Sequence, residues 1–155
     1  MTEARKERNG AMPRSAARLG AVQALYQLDL DPDADADSVV AEFEAHRLGR
    51  EIEGALYARA DRALFADIVR GVAARGAEID RLLGSVLAEG WPLERLESVL
   101  RAILRAGTYE LLARPDIPTA VIINEYVDVA HAFFDDAEPG FANGVLDRLA
   151  KEIRA

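Results

Sequence analysis

The chain has 155 residues, half of them apolar and 30% charged, a balance that fits one globular domain or two small subdomains and excludes a wholly disordered chain. It contains no cysteine, which removes disulfides, thiolate metal sites and a cysteine nucleophile and fits a reducing cytoplasm; no apolar run is long enough for a membrane span or follows the charged N-terminus as a secretory signal would. The formal net charge of −8 opposes nucleic-acid binding on average, yet residues 1–18 carry +3 and residues 19–155 carry −11, so a basic arm precedes an acidic body.

The 29 Ala and 18 Leu against three Thr predict an all-α fold. Residues 1–13, with mixed charge, Asn9-Gly10 and Pro13, read as a flexible basic tail. Leu19, Val22, Leu25, Tyr26 and Leu28 recur at helical spacing and predict a helix from near Arg14 to the Asp31-Pro32 break. Residues 29–38 read as an acidic linker, with Asp37 or Ser38 placed to cap a weak helix carrying Val39, Val40, Phe43, Leu48, Ile52 and Leu56. A stronger stripe runs from Leu64 to Leu87, where Gly71 and Gly76 mark close packing or a bend. Gly90-Trp91-Pro92 ends it and sets the expected boundary between an N-terminal helical subdomain at 14–90 and a C-terminal one at 91–155. Beyond it come a helix from Leu96 to Leu112, another with Pro118 as first residue, and a last one from near Pro139 to Ile153. The Val121–Phe133 helix is apolar nearly all round and is expected to be the central, most buried one.

The acids from Asp31 to Glu42 have the spacing of a calcium-binding loop, but Ala36 stands where the turn needs Gly and Pro32 stiffens its start, so a solvated linker is the better reading. Glu125, Asp128 and His131 share a helix face suited to a metal, yet His46 has no matching carboxylates for a second half-site, which favours the polar edge of a core helix. No serine sits in a Gly-flanked elbow and no phosphate-cradling glycine loop occurs, so enzymatic activity is not expected. Arg14 and Arg18 lie one turn apart behind Arg5, Lys6 and Arg8; arginine forks suit RNA phosphates and bases, while a merely solubilising arm fits the same charge.

Arg18-Leu19-Gly20-Ala21-Val22-Gln23-Ala24-Leu25-Tyr26, the stretch from Leu100 through Tyr109-Glu110-Leu111, and Ile123-Asn124-Glu125-Tyr126 followed by Phe141-Ala142-Asn143-Gly144-Val145-Leu146-Asp147 together resemble the NusB family of bacterial transcription antitermination factors, over roughly residues 14–154. The resemblance implies two small helical bundles and a non-enzymatic role without cofactor or metal. It also implies binding to NusE, a small-subunit ribosomal protein, and with it to boxA-type single-stranded RNA. RNA polymerase then continues through termination sites, notably in ribosomal RNA operons. By the same resemblance Arg14 and Arg18 would contact RNA, Phe141 would lie on the RNA-facing edge or be buried in the last helix, and Tyr26 would face NusE. Asn143 and Gly144 would let the last helix approach its neighbour closely.

Two positions depart from the family pattern. Ser15, Ala16 and Ala17 stand where some members carry further Arg, and Leu100 stands where many carry an acidic residue associated with the NusE contact. Weak RNA binding by the isolated chain and tight binding only with the partner are therefore expected. The module also fronts certain RNA-modifying methyltransferases, but no cofactor-binding domain follows before Ala155. The alternative from another class is a helical scaffold that self-associates without RNA; whether the free chain is a monomer or a homodimer stays open.

Overall fold

The computed structural model describes residues 2–46, 61–88 and 91–154, with side chains in the first helix from Arg14 onward. Among these residues the regular elements are all helical, as the composition implies: α1 (Thr2–Leu30), α2 (Ala36–His46), α3 (Arg62–Ala74), α4 (Gly76–Val86), a 3-10 turn (Leu93–Arg95), α5 (Ser98–Ala113), α6 (Thr119–Phe133) and α7 (Glu138–Ile153). The chain divides into two compact units, Met1–Arg70 and Gly71–Ala155. The division falls inside α3, earlier than the position read from Gly90-Trp91-Pro92, because α4 packs on α5 and α7.

In the N-terminal unit the backbone of α1 is helical from Thr2, so the start expected at Arg14 is corrected. Ala4, Arg5, Lys6, Glu7 and Arg8 are good helix formers, and they offset Pro13, which removes the bond to the Asn9 carbonyl and crowds that oxygen with its ring. Ala17, Ala21 and Ala24 are buried, and α1 packs on α2. After Leu30 the linker shortens to Asp31–Asp35, where the Asp33 N–H donates to Asp31 Oδ1 at 3.0 Å. Asp35, not Asp37 or Ser38, caps α2. Its carboxylate accepts the Ser38 N–H at 2.8 Å and the Ser38 hydroxyl at 2.9 Å, and these bonds, the backbone one first, hold it below the usual carboxylate pKa. Asp37 is instead used on the outside of the unit, paired with Arg70 Nε at 2.8 Å. Phe43 of α2 and Phe65 of α3 stack with ring centroids 5.5 Å apart. The expected apolar positions Leu48, Ile52 and Leu56 lie outside the described residues.

The stripe from Leu64 to Leu87 forms two helices, with a turn at Arg75 between α3 and α4. Gly76 opens α4 with space around it, whereas Gly71 is a site of close packing: a Cβ there would overlap the buried Tyr109 ring. In this C-terminal unit α5 is the central helix, buried from Leu100 through Leu111 except at Arg101 and Arg105, and packed on α4, α6 and α7. The expectation that the Val121–Phe133 helix would be most buried is thus corrected. That helix, α6, keeps one face in solvent, with Val121 and Phe133 exposed. Small residues on α5 permit its crowding; a Cβ on Gly107 would stand 2.8 Å from Leu146 Cδ2 of α7.

Polar groups on α5 all have work within the unit. Arg105 forms a two-point ion pair with Asp80 of α4 at 2.9 and 3.0 Å, and Arg101 Nη1 donates to the Leu93, Glu94 and Leu96 carbonyls at 3.2–3.3 Å, fixing the 3-10 turn. The buried Glu110 carboxylate accepts the Tyr126 hydroxyl of α6. At the C-terminal end of α5, Arg154 donates to the carbonyls of Glu110, Leu111, Arg114 and Ile117 and to Thr119 Oγ1, over 2.7–3.3 Å. These carbonyls include ones a helix end leaves without intrahelical partners, and a cation there also meets the negative end of the helix dipole.

Two substitutions test this packing in urea unfolding. Gly71→Ala, which forces the Tyr109 ring to move, should destabilise by about 1–3 kcal/mol. Arg154→Ala should cost about 2 kcal/mol through its lost charge-assisted bonds, and Arg154→Lys should recover only part, because an ammonium lacks the planar fork.

Candidate RNA and partner surfaces

The four residues singled out for binding fall on two helices. Arg14, Arg18 and Tyr26 are on α1 in the N-terminal unit, and Phe141 is on α7 in the C-terminal unit. The two arginines do not share an environment, although their spacing places them on neighbouring turns. Arg14 is exposed, while Arg18 is 1% exposed and has its polar partnering inside the protein. A guanidinium so covered cannot reach a phosphate outside, so the expected RNA contact at Arg18 gives way to a structural role. The sequence offered one hint: Arg18 lies between Ala17 and the Ala21-Val22 pair, all of which are buried.

Farther along α1 the buried positions Ala21, Val22, Ala24 and Leu25 leave Gln23 and Tyr26 facing outward, with Tyr26 37% exposed. Once Ala17, Ala21 and Ala24 are buried, Tyr26 stands on the opposite side of the helix, although it was counted with the apolar stripe of Leu19, Val22 and Leu25. Leu30, one turn beyond Tyr26, is also exposed, a feature that periodicity did not single out. Leu100, at the position of the second departure, is buried within α5 and offers no side chain to a partner.

On α7, Pro139 lies within the first turn of the helix, where a missing N–H costs nothing, and is itself buried. Ala142, Val145, Leu146 and Leu149 turn inward, which leaves Phe141 outward and 38% exposed, as a stacking residue requires and a core residue does not. Asn143 and Gly144 are exposed as well, and a Cβ on Gly144 would meet nothing within 4 Å. The expectation that they let α7 approach a neighbouring helix is therefore corrected; Gly107, on the facing helix, performs that task. Near Phe141, Gly140 and Gly144 are exposed without side chains, and Asn143 is exposed beside them.

Among the described residues no three His, Cys, Asp or Glu side chains come together to hold a metal ion. No described helix is long and apolar enough to cross a membrane. The carboxylates of Asp31 and Asp35 serve the turn and the cap described above.

The NusB family model matches residues 15–151, nearly the whole of the described chain. This chain belongs to the NusB family. A curated relative, the transcription antitermination protein NusB of Rhizobium rhizogenes, is 56% identical over 144 residues, covering 93% of this chain and 89% of that protein. The T. maritima NusB structure superposes with a TM-score of 0.73 at 34% identity, covering 90% of this chain and 91% of that one. A chain in the crystal structure of the antitermination factors NusB and NusE in complex with dsRNA shares the fold, with a TM-score of 0.74 at 22% identity over 92% of this chain and 98% of that one.

Separating the two arginines gives a direct check. Arg18→Ala should lower stability by about 1–3 kcal/mol, because it removes a fully buried side chain together with the polar interaction it makes, whereas Arg14→Ala should leave the urea midpoint unchanged.

Proposed function

We propose that this chain is a cytoplasmic transcription antitermination factor that acts by assembly, without catalysing a reaction. In this reading it joins NusE, and the pair holds boxA-type RNA within the RNA polymerase antitermination complex, supporting ribosomal RNA transcription. The observation that carries the reading is its 56% identity, across 93% of its length, to a transcription antitermination protein NusB. Arg14, exposed on α1, positions RNA through phosphate, and Phe141, exposed on α7, stacks on a base. Tyr26 meets NusE. Stacking on Phe141 needs an unpaired base, which favours single-stranded RNA as the ligand even though the NusB–NusE complex named above holds dsRNA.

Affinity comes from the pair. With a net charge of −8, the chain alone repels phosphate at long range, so NusE must supply part of the positive surface. The test is fluorescence anisotropy of a labelled boxA RNA, single-stranded and as a duplex, with this chain, with NusE and with both, across a salt series. The mixture should bind the single strand more tightly than either protein alone. Arg14→Ala should reduce the salt slope by about one, and Phe141→Ala should cost about 1–3 kcal/mol of RNA binding with little change in slope. A mixture that binds no better than its parts overturns the reading.

A further inference from the structure

The side of α7 that carries Phe141 continues past it. Gly144 and Arg148 follow three and seven residues on, so the three positions line one side of the helix, with Arg148 exposed about 10 Å along the axis from Phe141. Gly144 leaves the backbone between them open to an approaching chain. Among the described residues no carboxylate pairs with Arg148: Asp147 meets Lys151 at 3.2 Å, whereas Arg148 Nη1 makes one long bond, 3.3 Å, to the Val86 carbonyl at the end of α4. That contact sets Arg148 beside the segment leading to Trp91. Beyond Val86 the chain takes an extended step at Leu87, and the Trp91 N–H donates back to the Ala88 carbonyl at 3.0 Å. The 3-10 turn held by Arg101 then fixes the backbone just after Trp91, whose side chain is 60% exposed. All of these residues belong to the C-terminal unit.

An indole held on an ordered turn with most of its surface in solvent gains little for the fold and becomes favourable when a flat group covers it. Two exposed aromatics and an arginine not paired with an acid suit a ligand of alternating flat rings and anions, which is what unpaired RNA presents. The distance agrees, since about 10 Å is the rise of about three stacked nucleotides of one strand. Glu152, exposed one turn past Arg148, closes that end of α7 to phosphate. We propose that Phe141, Arg148 and Trp91 form one track for single-stranded RNA, in which bases stack on the two aromatic rings and Arg148 binds a phosphate of the same strand. The proposal rests on the reading of Phe141 as an RNA contact and adds a second stacking residue and the cation that goes with it.

Trp91 is the only tryptophan of the chain, so its own fluorescence reports what covers it. The full chain with NusE is titrated with single-stranded boxA RNA, and the signal of the same assembly carrying Trp91→Phe is subtracted to remove any emission from NusE. Anisotropy of a labelled RNA across a salt series gives affinities in parallel, with the helicity of each variant checked by circular dichroism. Trp91 emission should be quenched in step with RNA binding. Trp91→Leu should bind RNA about tenfold more weakly with its salt slope kept, and Trp91→Phe should recover most of that loss. Arg148→Gln should lower the salt slope by about one, which Arg148→Lys should keep. RNA bound with Trp91 emission unmoved, and with affinity and slope unchanged in Trp91→Leu and Arg148→Gln, overturns the track and leaves the antitermination reading standing. Failure of the folded, unsubstituted assembly to bind RNA removes that reading and the track with it. Weakened NusE binding by folded Trp91→Leu assigns the indole to the protein partner and overturns the proposal.

Discussion

The burial of α5 among α4, α6 and α7 is the constraint from which the C-terminal unit follows. A helix enclosed on several sides must be thin where neighbours come nearest, and its polar groups must find partners within the protein. Gly107 meets the first demand against Leu146, and Gly71, near the end of α3, meets it by admitting the Tyr109 ring. The second demand accounts for Arg105 on Asp80, Glu110 on Tyr126, and the Thr108 hydroxyl, which donates to the Leu104 carbonyl at 2.7 Å. None of these contacts involves Phe141, which projects from α7 on the side away from the buried Ala142, Val145, Leu146 and Leu149.

The N-terminal unit solves a similar problem with alanine. Ala17, Ala21 and Ala24 make a narrow buried face on α1, and the opposite face is left with few duties in the fold. Buried and exposed positions are therefore cleanly divided along this helix. Arg18 belongs to the interior and Arg14 to the surface, while Tyr26 and Leu30 continue the outward face toward the acidic linker.

The helical class was legible because Ala and Leu recur at a period that only helices bury well. Less legible was which helix lies at the centre. Arg101, Arg105 and Glu110 gave α5 the look of a half-solvated helix, since a linear pattern cannot reveal that Asp80, three carbonyl oxygens and Tyr126 are waiting for them. Glycines were equally ambiguous: Gly71 and Gly107 face crowded neighbours, Gly76 and Gly144 face open space, and nothing local distinguishes the pairs. The cap of α2 shifted by a turn's fraction because a run of alternating Asp and Ala offers several equivalent oxygens, of which only Asp35 stands just before the helix. Among the candidate site residues, Tyr26 and Phe141 were counted with the apolar residues of their helices, and only the structure places both outward. The burial of Arg18 was not readable either, since a positive charge in a basic arm suggests solvent, and burial is a property of its neighbours.

Arg154 gives the C-terminal unit a particular order of completion. The carbonyls it satisfies belong to the end of α5 and the turn into α6, which are made well before it during synthesis. Before Arg154 is in place, the Glu110 and Arg114 carbonyls have only the N–H groups of Arg114 and Ile117, and the corner between α5 and α6 has no cation to close it. The corner is thus finished by a side chain 35 to 44 residues downstream, which ties the ends of α5 and α6 to the docking of α7.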